Sequence, residues 1–170
     1  MIKIVKKVPS DTVVARMFTV WYKTMRPKWK LPLDICIGTF FVAMTIYSFL
    51  QTPLPFFTWI ALGGAIVSFV AAFAYVPYLV NMTVKANKRQ PSYNVEKIYQ
   101  FYPDHLDYSY EGVPVSHIPL NKFSRVLVKE GFYLFLYKDK LVLWLSDADL
   151  SKEESDKILD YFRQLDVPIE

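Results

Sequence analysis

The chain has 170 residues, which suffices for one modest domain with membrane segments and excludes two large domains. Hydrophobic residues make up 53% and aromatics 17%, more than a soluble domain of this size needs. The single cysteine, Cys36, excludes an internal disulfide. It reads as a small apolar side chain between Ile35 and Ile37, because a reactive thiol needs an electropositive, accessible setting.

The net charge of +4 conceals an asymmetry. Residues 1–32 carry +7, residues 33–80 carry −1, residues 81–91 carry +3 and residues 92–170 carry −5. A basic half is therefore joined to an acidic one.

The first segment, 1–32, opens with Ile2–Val8, which partly alternates and reads as a short strand. Pro9 interrupts it. Ser10 or Asp11 then caps a helix to about Met25, on which Val13, Val14, Met17, Phe18 and Trp21 recur at helical spacing. Two placements fit this amphipathic segment: the headgroup layer beside a span, or the face of the C-terminal domain.

From Ile35 to Val84 there is no Asp, Glu, Lys or Arg. A buried soluble core rarely avoids charge for so long, because its elements need solvated faces. Residues 33–50 and 56–78 each have the length of a membrane span, and together they make a hairpin within 33–80. The linker Gln51-Thr52-Pro53-Leu54-Pro55 opposes helix continuation. Asp34 reads as a cap at the headgroup boundary, and Pro77 falls near the end of the second span.

The flanks set an orientation. Lys23, Arg26, Lys28 and Lys30 precede the first span, and Lys85, Lys88 and Arg89 follow the second. Basic residues stay cytoplasmic, so both termini are expected on the inner side of the plasma membrane. The seven cations would form a cluster facing anionic lipids of the inner leaflet. Gly64, Ser68 and Ala72, with Ala61 and Ala65 beside them, form a small-residue stripe. It suits close helix packing, either against the chain's own first span or in a homo-oligomer. No ionisable residue lies deep in either span, which argues against a pump or transporter.

Residues 81–170 read as a β-rich cytoplasmic domain. Strands are expected at Lys97–Tyr102, Leu106–Tyr110, Val113–Ile118, Phe123–Lys129, Phe132–Tyr137 and Leu141–Leu145. Pro103-Asp104-His105, Glu111-Gly112, Glu130-Gly131 and Lys138-Asp139-Lys140 are the turns. Ser151 and Glu154 make a capping box, and Ile158, Leu159, Phe162 and Leu165 give the final helix one apolar face. The expected class is an α+β membrane protein: a two-helix hairpin followed by a small antiparallel sheet or partial barrel, capped by a C-terminal helix.

Phe101-Tyr102-Pro103-Asp104 leading into a hairpin, Ile118-Pro119-Leu120 before a strand, and the paired strands around Lys138–Lys140 resemble the YcxB-like family of small bacterial membrane proteins. The resemblance covers nearly the whole chain. It implies a C-terminal domain similar to a pleckstrin-homology fold, a bacterial plasma membrane and a non-enzymatic module. It supplies no catalytic residues.

Chemical motifs are weak. His105 and His117 read as separate, exposed turn residues without Cys or His partners at metal spacing. Asp147 and Asp149 fit cap and turn roles better than a calcium loop. Tyr93, Tyr99, Phe101, Tyr102, Tyr108 and Tyr110 suit sheet packing, since the charge of −5 opposes nucleic acid. No catalytic residue, metal ligand or cofactor is expected. The leading expectation is a membrane-anchored interaction or regulatory module that binds an unidentified protein. The alternative is a membrane-bound immunity or accessory subunit whose spans contact a membrane partner.

Overall fold

The structure, a computed structural model, describes residues 1–51, 55–90, 93, 95–110 and 113–170. The chain forms two compact units. One joins Met1–Val20 to Lys85–Glu170; the other is Trp21–Val84.

The first unit begins with β1 (Ile2–Lys6), whose residues alternate between buried and exposed. Ile2, Ile4 and Lys6 point inward. β1 pairs antiparallel with β2 (Lys97–Phe101), with Ile4 opposite Tyr99. β2 pairs with β3 (His105–Tyr110), and β3 with β4 (Val113–Pro119), giving a four-stranded sheet in the order β1-β2-β3-β4. A short 3-10 turn, Leu120–Lys122, then breaks the pairing. β5 (Arg125–Lys129), β6 (Phe132–Tyr137) and β7 (Lys140–Ser146) form a separate three-stranded sheet.

Two tight turns fix that second sheet. Glu130 and Gly131 have φ of 50° and 80°, and Lys138 and Asp139 have φ of 47° and 60°. Two successive left-handed residues match the twist of a hairpin. At Gly131 a Cβ would also lie 2.8 Å from Asp147 Oδ2.

α5 (Lys152–Gln164) starts at the expected capping box. Ser151 Oγ accepts from the Glu154 N–H at 3.3 Å, and Glu154 accepts from the Ser151 N–H at 2.9 Å. Its inward residues Ile158, Leu159 and Phe162 join Phe101, Leu106, Phe123, Phe135 and Leu145 in one core. After α5 the chain runs beside β5, where Val126 N donates to Pro168 O at 2.8 Å and Glu170 N to Val126 O at 2.9 Å. The tail thereby covers the β5 edge, which would otherwise present unpaired backbone groups.

The mixed α+β class is as expected, but the described residues form seven strands in two sheets and no closed barrel. The N-terminal strand supplies one of the seven, and the Leu120–Lys122 turn divides the sheets. Asp147 and Asp149 lie in the turn after β7, where Asp149 Oδ2 accepts from Ser146 N and Oγ at 2.8 and 2.7 Å.

α1 (Asp11–Met25) follows Pro9, and Ser10 Oγ accepts from the Val13 N–H at 3.4 Å. Its first half belongs to the sheet unit: Arg16 donates to Glu130 O at 3.2 Å and lies 5.6 Å from the Phe132 ring centroid. Val14 and Met17 are buried. Of the two placements open to this segment, packing on the β-rich domain is therefore the one observed for residues 11–20.

In the second unit α2 (Lys30–Gln51) pairs with a long helix made of α3 (Pro55–Phe69), a π-helical turn Val70–Ala74 and α4 (Tyr75–Lys88). Both are long and apolar enough to cross a membrane. The linker residues Thr52–Leu54 lie outside the described residues, as do Pro91, Ser92 and the Glu111-Gly112 turn. The second helix continues ten residues past the expected end at Tyr78, through Pro77. A helical proline cannot bond the carbonyl four residues back and its ring crowds it. That carbonyl is Phe73, inside the wider π turn.

Asp34 is not a boundary cap. α2 starts at Lys30, so Asp34 sits one turn inside the helix, 8% exposed. Its carboxylate meets Arg26 at 2.8 Å and Lys30 at 3.6 Å. Arg26 also donates to the carbonyls of Ala71 and Ala72 at 3.1 and 2.9 Å. These carbonyls lie in the π turn, where the ordinary helical ladder is disturbed.

Candidate functional site

The small-residue stripe packs within the hairpin. Ala61, Ala65 and Ala72 are buried, while Gly64 and Ser68 are half-buried. A Cβ at Gly64 would lie 2.9 Å from the ring of Phe41 on α2, and one at Gly38 would lie 3.2 Å from Phe69. The two glycines let aromatic rings of the opposite helix approach the backbone. Within the stripe, Gly64 therefore packs against Phe41 of the chain's own first helix.

The seven basic residues divide by environment. Arg26 and Lys30 are tied to Asp34. Lys88 donates to Asp11, which also accepts from Tyr93 Oη at 2.9 Å. These bonds, Lys88 first and then Tyr93, hold the Asp11 carboxyl below the usual carboxylate range. Lys23, Lys28, Lys85 and Arg89 are exposed.

Lys6 has no motif around it, but its period-2 position with Ile2 and Ile4 marks it as inward-facing. Its ammonium donates to Trp144 O at 2.5 Å and lies 3.0 Å from the Trp144 ring centroid. Burial pushes its pKa down to about 7; Asp149 opposes that shift and Lys97 adds to it. Lys97, opposite Lys6 in the β1–β2 register, is itself lowered by burial.

The folded pKa of Lys6 is below the unfolded one, so between about 7 and 10.5 the unfolded state binds more protons. Stability therefore rises with pH across that window. Tyr93, Tyr99 and Tyr108 are shifted upward and act only above about pH 10. Urea unfolding of the detergent-solubilised chain should show a gain of about 3 kcal/mol from pH 7 to 9.5. Lys6→Met should remove most of that slope; parallel slopes in the two proteins would contradict the assignment.

The clearest convergence of chemical groups lies on the β3–β4 pair. His105 and Asp107 are two apart on β3, and Asp107 stands opposite His117 on β4. All three therefore share one face of the sheet. The reading of both histidines as separate turn residues is corrected: both are on strands, and their ring centroids are 4.3 Å apart. His117 Nδ1 lies 2.7 Å from Asp107 Oδ1, and His105 Nε2 lies 3.8 Å from Asp107 Oδ2. Asp104 Oδ1 meets His105 Nδ1 at 2.7 Å, and Tyr102 stacks on the His105 ring at 4.4 Å. A shallow apolar cavity of about 280 Å³ adjoins His117, lined by Ile118, Pro119, Lys122, Phe123, Tyr137 and Val142.

Of the sheet aromatics, Phe101 is fully buried and Tyr99 stacks on Tyr108 at 5.2 Å, so these rings pack the sheet. No family model matches the chain, and no curated protein and no solved structure matches it.

Proposed function

We propose that the chain is a non-enzymatic, membrane-anchored interaction module at the inner face of a bacterial plasma membrane. Both termini are then cytoplasmic, and the β-rich unit is held at the anionic leaflet by an in-out-in hairpin. The observation that carries this reading is the β1–β2 pairing. β1 precedes the two apolar helices and β2 follows them, yet the strands are neighbours in one sheet. A chain that crosses a bilayer twice returns to the same side, which meets this requirement; a single crossing does not.

Exposure supports the membrane part. Phe40, Phe49, Trp59, Val67 and Phe73 are each at least 60% exposed. Apolar surface on this scale marks a membrane or protein contact in a folded chain. Exposed Lys23, Lys28, Lys85 and Arg89 suit an anionic surface, each contributing about 1 kcal/mol, reduced by salt. β4 and β7 end their sheets, which favours addition of a partner's extended segment. The likeness to the YcxB-like family and to a pleckstrin-homology domain belongs to the same proposal.

Topology tests it. In a Cys36→Ala background, Thr52→Cys should react with an impermeant maleimide in sealed cells. Lys3→Cys and Lys157→Cys, both at exposed positions of the β-rich unit, should react only after lysis. Reaction of Lys3→Cys in sealed cells with Thr52→Cys protected would overturn the orientation.

A further inference from the structure

His105, Asp107 and His117 offer two imidazoles and one carboxylate whose candidate donor atoms all lie within 4.8 Å of one another. They come from adjacent strands, whose pairing sets their spacing: Asp107 and His117 are direct register partners. The turn before β3 is fixed as well, with Tyr102 N donating to His105 O and Leu120 N to Asp104 O, both at 2.9 Å.

The supporting groups point the same way. An ionised carboxylate only accepts, so the Asp104 contact places a proton on His105 Nδ1. In the neutral ring the lone pair is then on His105 Nε2, and this is the atom that faces Asp107. A carboxylate behind a histidine, fixing its tautomer, is the usual companion of a metal-binding imidazole. Tyr102 stacks on the same ring at an interplanar angle of 13°, which restrains its rotation. His117 is exposed at the outer side of the cluster, so a fourth coordination position would face solvent or the adjoining cavity.

We propose that His105 Nε2, Asp107 and His117 Nδ1 form a three-ligand binding site for a divalent transition-metal ion of the Zn2+ type. Two imidazole nitrogens and a carboxylate suit zinc, which binds such donors at about 2.0–2.2 Å. Ligands around a tetrahedral ion at those lengths stand about 3.3–3.5 Å apart. The separations of 2.7 and 3.8 Å to Asp107 bracket that value, so modest side-chain rotations close the site. Binding displaces the proton that His117 Nδ1 shares with Asp107, and the neutral ring takes it up again at Nε2, which faces away from the metal position. The site lies in the β-rich unit and does not depend on the membrane reading.

The test is calorimetric titration of Zn2+ into the full chain in detergent, in a Cys36→Ala background, at about pH 7.5. One ion per chain is expected. His105→Ala, Asp107→Asn and His117→Ala should each lower the affinity by about 100-fold or more. Asp104→Asn, which removes only the group behind His105, should lower it by about 10-fold. Co2+ should give the visible bands of a four-coordinate centre, lost in His117→Ala. None of the substituted side chains is in the hydrophobic core, and unchanged circular dichroism will verify folding of each variant. Failure of the wild type to bind Zn2+, or equal binding by wild type and the ligand variants, would overturn the proposal and leave a metal-free hydrogen-bonded cluster.

Discussion

Phe162→Ala is expected to destabilise the β-rich unit by about 3–5 kcal/mol. The ring is fully buried, 5.6 Å from Phe123 in an edge-to-face contact and 5.3 Å from Phe135. Phe123 follows the 3-10 turn and Phe135 lies on β6, so Phe162 ties α5 to both. Truncation removes the transfer energy of the ring and leaves a cavity that rigid aromatic neighbours cannot fill. Lys157→Ala, on the exposed face of α5, should change stability by less than about 0.5 kcal/mol. Urea unfolding of both variants in detergent compares them; equal small effects would refute the assigned face.

Ile4→Asp should have an effect at least as large, about 5 kcal/mol. Ile4 is 3% exposed and belongs to the core that includes Tyr99, Phe101 and Phe162. The substitution removes its apolar contacts and places a carboxylate among aromatic and aliphatic side chains. The damage should pass to β2, since β1 pairs with it over five residues. Lys3→Asp is the control at the neighbouring exposed position and should be nearly neutral.

Local signals were strong enough to read several elements directly. The absence of charge between Ile35 and Val84 marked the hairpin, and Ser151 with Glu154 marked the start of α5. Glu130-Gly131 and Lys138-Asp139 marked the hairpin turns of the second sheet. Alternation at Ile2, Ile4 and Lys6 marked a strand, but alternation names no partner. The pairing of β1 with β2 joins segments separated by both apolar helices, and only the tertiary fold specifies it. The division into two sheets depends on the Leu120–Lys122 turn, which has no glycine.

The histidine cluster was hidden for a related reason. β3 begins at His105, one residue earlier than alternation from Leu106 indicated. That single residue puts His105 on the face of Asp107, a relation visible once the strand boundary is known. The contribution of His117 required the β3–β4 register, which shifts at Tyr108/Ser109 and follows from neither strand alone. The Asp34–Arg26 pair is not legible from Asp34 as a helix boundary, because α2 begins a turn earlier at Lys30.

A two-helix hairpin interrupts one sheet, whose first strand precedes the hairpin and whose second follows it. Amide hydrogen exchange over residues 97–101 tests this most directly. In the wild-type chain these amides should exchange slowly, as β2 lies between β1 and β3. In Ile4→Asp they should open by orders of magnitude, while amides in the middle of α2 keep their protection. Exchange in β2 that is the same in wild type and Ile4→Asp would contradict the pairing of β1 with β2.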